Sequence, residues 1–404
     1  MKANGLNDGV LAGVRVLDFG HALAGPFAAT LLADFGADVI KVERPGTGDE
    51  SRGHGRFRDS TPHRERSALF LWLNTSKRSV TLDIATRSGR EIALRLAAQC
   101  DAVVLDQRPS ELAGLRLTPA VLRATNPRLV VTSVSAFGQS GPYADWRATN
   151  LIAYAAGGQH YLTGDADREP LQNGGYQAEY QAGTWAFGAT LAALHRAAAT
   201  GDGCVAEVAG VEVMASILEI YLPDYAYRRS EALTTRRGNF SSATVGLYPA
   251  ADGHIGIHAM PKNWPQLVAA MERTDLASDE RFADNRARLR NDDALSAEFF
   301  LWTTSVTKAQ AQARARTHRA PIAPVNTMAD LLATEQLNAR GFFREIEHPE
   351  AGAMRYPGPP SRMPASPPQP RRAPLLGEHT AEVLSGMLGL SPRDIATLSA
   401  AGVA

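Results

Sequence analysis

Apolar positions fall along this chain in short blocks with two spacings. Val14-Arg15-Val16-Leu17-Asp18-Phe19 reads as a strand, and Ala24-Gly25-Pro26 opens a helix that runs through Ala33, with proline tolerated in a first turn and Gly36 closing it. Ala37 to Glu43 is a second apolar strand, so the first block is a β-α-β unit whose parallel pairing needs such a crossover. The alternation continues with a strand over Ser79–Ile84, a helix over Gly89–Gln99, and a strand over Ala102–Leu105. A helix start at Thr118-Pro119 and a strand over Leu129–Ser135 follow. After a glycine-rich passage from Gly157 to Gly183, the pattern predicts a long helix over Thr184–Ala199, stopped at Thr200-Gly201-Asp202-Gly203, and helix again over Val211–Tyr227. Leu247 to Ile257 reads as a hairpin, with helices near Trp264–Met271 and Lys308–Arg316. A proline-rich run from Tyr356 to Pro374 reads as extended, and Thr380–Leu388 and Pro392–Ala400 as terminal helices. The fold class is therefore α/β: a Rossmann-like large domain over 1–228, a smaller α+β domain over 229–330 and a C-terminal segment over 331–404. No internal repeat is visible.

Composition narrows the function classes. Lys plus Arg equals Asp plus Glu at 42 each, so no global field draws the chain to nucleic acid or an anionic membrane, and a polyanionic ligand must meet local cations. Cys100 and Cys204 stand without CxxC spacing or a Cys/His cluster, which argues against a disulfide scaffold or a metal site and fits a reducing compartment. Neither a signal peptide nor an uninterrupted run of about 18 apolar residues is readable, and the expected location is the cytoplasm. The first strand-to-helix loop, Gly20-His21-Ala22-Leu23-Ala24-Gly25, lacks GxGxxG spacing, which disfavours a dinucleotide.

Several motifs occur in a fixed order: Val16-Leu17-Asp18-Phe19, Leu23-Ala24-Gly25-Pro26, Leu31 through Glu43, Gly48-Asp49, Asn74 with Lys77-Arg78-Ser79, Gly138 to Tyr143, and Leu375-Leu376-Gly377-Glu378-His379. In that combination the chain resembles the family III CoA-transferases, of the formyl-CoA and carnitine CoA-transferase type, over nearly its whole length. The resemblance implies a ring-like chain interlocked with a second one, its C-terminal segment returning to the large domain. It also implies exchange of CoA between an acyl-CoA and an organic acid, with CoA as substrate and no tightly bound cofactor or metal.

The residues that would carry the reaction follow from the same resemblance. The family nucleophile is an aspartate just before a helix, and its place here falls on Glu179 in Gly174-Gly175-Tyr176-Gln177-Ala178-Glu179. A carboxylate attacks a thioester as an anion, and a helix start favours the anion by about 0.3–1 kcal/mol. The extra methylene of glutamate shifts the oxygens by about 1 Å, a displacement that can cost about 100-fold. Arg44 matches a CoA-proximal arginine. Asp106 and Gln107 replace the pair that holds the adenine end, while a family lysine and arginine fall on Ala85 and Gly114. Lys77, Arg78, Arg108 and Arg116 are the candidate replacements for the missing cations. His21 lies in the loop that lines the family's active site; the Arg52–Arg66 segment reads as a solvated loop, and Trp185 and Phe187 as core. The racemases of the superfamily need a histidine where this chain has Thr149, which disfavours α-carbon inversion. Two readings stay open: an active homodimeric transferase using Glu179, or a non-catalytic subunit paired with a paralogous chain, as in the benzylsuccinate CoA-transferase type. The departures at Glu179, Ala85, Asp106 and Gly114 incline the sequence towards the second.

Overall fold

A computed structural model describes residues 9–164, 168–229 and 244–404. The helical pattern of the sequence breaks over Arg228–Asn239, a stretch that lies mostly outside them. The chain divides into two compact units, one made of residues 1–163, 170–227 and 341–404, the other of 164–169 and 228–340.

The first unit is built on a six-stranded parallel sheet, β1 (Arg15–Asp18), β2 (Asp38–Glu43), β3 (Arg78–Thr81), β4 (Ala102–Leu105), β5 (Val130–Ser135) and β6 (Val205–Ala209), in the order β3-β2-β1-β4-β5-β6. Leu17 sits beside Ile40 on one side and Val103 on the other. The central strands read as continuous apolar runs because helices cover both faces of a parallel sheet. One face buries Leu17, Ile40, Val103 and Val131 against the helix Arg87–Ala97, and the other buries Val16, Val39 and Val104 against the helix Ala24–Asp34.

The long helix spans Gln177–Thr200, starting at Gln177 rather than at the predicted Thr184. Gly183, which in the sequence extends the glycine-rich loop, sits inside this helix because there is no room for a side chain: a Cβ would come within 2.7 Å of the Ala24 carbonyl oxygen. Close contact with the helix Ala24–Asp34 thus outweighs the cost of about 1 kcal/mol for glycine in a helix interior. The first turn carries no local side-chain cap; the backbone N–H of Ala178 donates instead to the Asn150 side chain at 2.8 Å. Phe187 packs as expected, stacked on Phe35 at 5.7 Å between centroids, but Trp185 is 53% exposed on the single chain. The stretch expected as one helix over Val211–Tyr227 is two, Gly210–Ser216 and Tyr221–Arg228, interrupted where Glu219 takes a φ of 53°.

The C-terminal residues of this unit close against β3. Ser79 Oγ accepts from the Gly377 N–H at 2.8 Å, the His379 N–H donates to the Ser79 carbonyl at 2.9 Å, and Asp83 N–H donates to the Val403 carbonyl at 2.8 Å. A hairpin that the sequence did not suggest, Phe343–His348 with Gly352–Pro357, precedes the irregular proline-rich run. In the second unit the strands Val245–Ala250, Gly253–His258 and Ile322–Pro324 form an antiparallel sheet with the expected hairpin, packed on helices around Leu267, Phe282, Phe299 and Trp302. Among the described residues no helix is long and apolar enough to cross a membrane.

Candidate active site

Strand order reverses between β1 and β4, and in open parallel sheets ligands bind outside the carboxyl ends of the strands at such a point. The loop leaving β1 there is held by a buried charge network. Lys41 Nζ donates to the Gly20 carbonyl at 2.7 Å and lies 2.8 Å from Asp49, whose carboxylate also accepts from Ser51 and from the Ala22 N–H. Ala22 is held at φ 59°, a left-handed conformation that a non-glycine residue keeps only when its surroundings impose it. Beneath the loop, Lys77 Nζ donates to Asp18 at 2.9 Å, to the Pro26 carbonyl at 2.8 Å and to Asn74 Oδ1 at 2.9 Å. Burial lowers the Lys77 pKa to about 8 against the pull of Asp18; burial pushes the Asp18 carboxyl up, yet Lys41 and Lys77 hold it below its ordinary value.

This placement removes Lys77 from the set of cations facing a ligand. Arg78 is likewise engaged elsewhere, with Asp38 at 2.6 Å and Glu382 at 3.1 Å, and Arg116 forms the left-handed C-cap of the helix Pro109–Leu115. Arg52 is not part of a solvated loop: it is buried between Glu43 at 2.7 Å and Glu65 at 2.5 Å, over the Phe70 ring.

A cavity of about 960 Å³ opens at the switch point, near the upper end of the about 300–1,000 Å³ range of ligand clefts. It brings together His21, Arg44, Asp106, Gln107 and Glu179 from the sequence-derived candidates. Ala85 and Gly114 also line it, so the positions that lack the expected cations do face the same space. Arg108 enters the wall but is engaged with Glu111 at 2.5 Å and the Asp145 carbonyl at 2.8 Å. The sequence reading missed Trp146 and Arg147, both exposed in the wall. Trp146 packs against Tyr143 at 4.1 Å between centroids. An aromatic-arginine pair just after the Gly138–Tyr143 motif was the available signal.

Asp106 is not a bare charge in this cavity. Its Oδ2 accepts the His21 backbone N–H at 2.6 Å, and Oδ1 lies 3.8 Å from His21 Nδ1. Burial raises the Asp106 pKa, with His21 acting against it; burial of the imidazole works to lower the His21 pKa, but the Asp106 carboxylate outweighs it and the net shift is upward. Glu179 lies in the first turn of the long helix, not ahead of it, and is half-buried in the wall. Burial, reinforced by the negative charge of Asp106, lifts its pKa to about 7, while the Asn150 backbone N–H acts in the opposite direction. Burial therefore outweighs the helix start, and the Glu179 anion is disfavoured relative to that of a free glutamate.

Comparison with known proteins shows the family. Residues 11–380 match the family model of CoA-transferase family III. The succinyl-CoA--D-citramalate CoA-transferase of Chloroflexus aurantiacus is 34% identical over 395 residues, covering 96% of this chain and 96% of that protein. The alpha subunit of a succinyl-CoA--L-malate CoA-transferase from Chloroflexus aurantiacus is 33% identical over 392 residues, covering 96% and 91%. A CaiB/BaiF family protein from Brucella suis superimposes with a TM-score of 0.84 at 30% identity, over 95% of this chain and 100% of that one. This chain belongs to the CoA-transferase family III.

Proposed function

We propose that the chain is itself an active CoA-transferase, moving CoA from an acyl-CoA to a small carboxylic acid with Glu179 as the nucleophile. The observation that carries this reading is the position of Glu179 in the wall of the switch-point cavity, beside an Asp106 whose carboxylate accepts the His21 backbone N–H. A Glu179 oxygen bonds to the thioester carbonyl carbon, the C–S bond breaks, and CoA leaves as the thiolate, giving a mixed anhydride. The thiolate then attacks the Glu179 carbonyl, releasing the donor acid and leaving CoA on Glu179. The acceptor acid repeats the two steps in reverse and departs as its CoA thioester. Arg44 and Arg147 are the exposed cations of the wall and suit the CoA phosphates, with Trp146 offering an aromatic face. The similar proteins make succinyl-CoA the first donor to try, with citramalate and malate as first acceptors.

The second reading, a non-catalytic subunit beside a paralogous chain, draws support from uncharged Ala85 and Gly114 in the cavity wall. Against it, Asp106, which from sequence alone looks hostile to a polyanion, turns one carboxylate oxygen to the His21 backbone N–H. The exposed Trp185 suits pairing with a second chain under either reading. Purified chain, succinyl-CoA and a panel of acids, followed by mass spectrometry of the CoA products, separates the two. Turnover that falls by at least about 10³-fold in Glu179→Gln supports the active enzyme; no turnover until a paralogue is added supports the subunit.

A further inference from the structure

The loop after β1 fixes not only the place of His21 but also which of its nitrogens holds the proton. Gln107 Nε2 donates one hydrogen to the Phe19 carbonyl at 2.6 Å, and its second points at His21 Nδ1, 3.0 Å away. The amide cannot be turned over, because Oε1 would then face the Phe19 carbonyl, acceptor against acceptor. Oε1 is buried with no hydrogen-bond partner, so the orientation is imposed by Phe19 and His21 rather than by any partner of its own. In the neutral ring Nδ1 must therefore accept, and the proton resides on Nε2. Asp106 Oδ1, at 3.8 Å from Nδ1, is too far to compete as a hydrogen-bond acceptor in this arrangement. His21 Nε2 has no partner among the described residues, and 37% of the side chain stays exposed where it lines the cavity. Asp106 links the two sides of the site, accepting the His21 backbone N–H while its charge reaches Glu179.

We propose that His21, through Nε2–H, is the hydrogen-bond donor to the thioester carbonyl oxygen when Glu179 attacks, and that Gln107 is the positioning residue that fixes this tautomer. As the Glu179 oxygen bonds to the carbonyl carbon, the carbonyl electron pair moves onto oxygen; Nε2–H stabilises that oxyanion until the pair returns and the C–S bond breaks. No proton changes hands in the step, so a neutral donor is sufficient. Removing a single donor of this kind costs about 10²–10³-fold in rate. This inference rests on the reading of Glu179 as nucleophile.

The test follows the rate at which succinyl-CoA modifies Glu179, trapped with hydroxylamine and read by peptide mass, in wild type, His21→Ala, His21→Gln and Gln107→Leu. His21→Ala keeps the backbone N–H that clamps Asp106, so the loop has the same anchor. The expected result is a loss of about 10²–10³-fold in the modification rate for His21→Ala with little change in KM, and partial recovery in His21→Gln, whose amide can still donate. The ¹⁵N spectrum of the His21 ring in the free chain should show the neutral Nε2–H form in wild type and a mixture of tautomers in Gln107→Leu. Modification of Glu179 at the wild-type rate in His21→Ala, or a proton found on Nδ1 of the neutral ring, overturns the donor role while leaving Glu179 as nucleophile. No modification of Glu179 in wild type overturns the nucleophile reading and this one together.

Discussion

At the residue scale, the site is arranged around a carboxylate that the fold does not stabilise in its charged form. Glu179 titrates near 7 because burial and then Asp106 disfavour its anion. The rate constant kcat/KM should therefore rise as pH increases through about 7 and level off above it, as Glu179 ionises. Asp106→Asn removes the neighbouring charge and should shift that rise to lower pH; a rise unmoved in Asp106→Asn would mean that the titrating group is not Glu179. The same shift has a stability consequence. Because the folded pKa lies above the ordinary glutamate value, the folded state holds its proton longer than the unfolded chain does. The cost is fully present above about pH 7 and vanishes below the ordinary glutamate pKa. Glu179→Gln should then raise stability by about 1–2 kcal/mol at pH 8, allowing for partial exposure, with the gain fading as pH falls towards 5. Thermal melts of both proteins across that range check the sign. Lys77 gives the contrasting case, since its ammonium serves the fold: Lys77→Met removes the nearer of the two ammonium groups beside buried Asp18, leaving Lys41 at 3.8 Å, and should cost about 3 kcal/mol.

At the scale of elements, the long helix Gln177–Thr200 decides where Glu179 points, and its start is set by groups distant in sequence. Gly183→Ala should destabilise the chain by about 1–3 kcal/mol, because the new Cβ meets the Ala24 carbonyl oxygen, whereas in a free helix the same change stabilises by about 1 kcal/mol. Denaturant unfolding gives the sign directly. Asn150→Ala removes the cap on Ala178 N–H and should cost about 1 kcal/mol while lowering the rate, since the adjoining turn carries Glu179. The strands of the parallel sheet were legible because each is a short apolar run between turn signals. The helix start was not, because Gly183 and the lack of a cap at Tyr176 read locally as loop. Glu179, His21, Arg44, Asp106 and Gln107 could be named from the sequence and do share one cavity. Lys77, Arg78 and Arg52 could not be told from surface cations, since a charge buried in a network and a charge in water have the same letter. Trp185 misled in the other direction, an aromatic on a helix that the single chain leaves exposed.

At the scale of the molecule, membership of CoA-transferase family III accounts for the order of the motifs: Val16–Phe19 and Leu31–Glu43 build β1, the end of the following helix and β2 beside the β1–β4 crevice, and Leu375–His379 anchors the C-terminal residues on β3. The proposed pairing with a second chain predicts a particle of twice the mass of one chain in light scattering, weakened by Trp185→Glu. The central claim, that this chain forms its own covalent intermediate, is tested most directly by incubating it alone with succinyl-CoA and hydroxylamine and mapping the modified peptide. Hydroxamate at Glu179, formed only when the thioester is present, is the predicted result. Sustained turnover with Glu179 unmodified, or no modification until a second polypeptide is supplied, would contradict it.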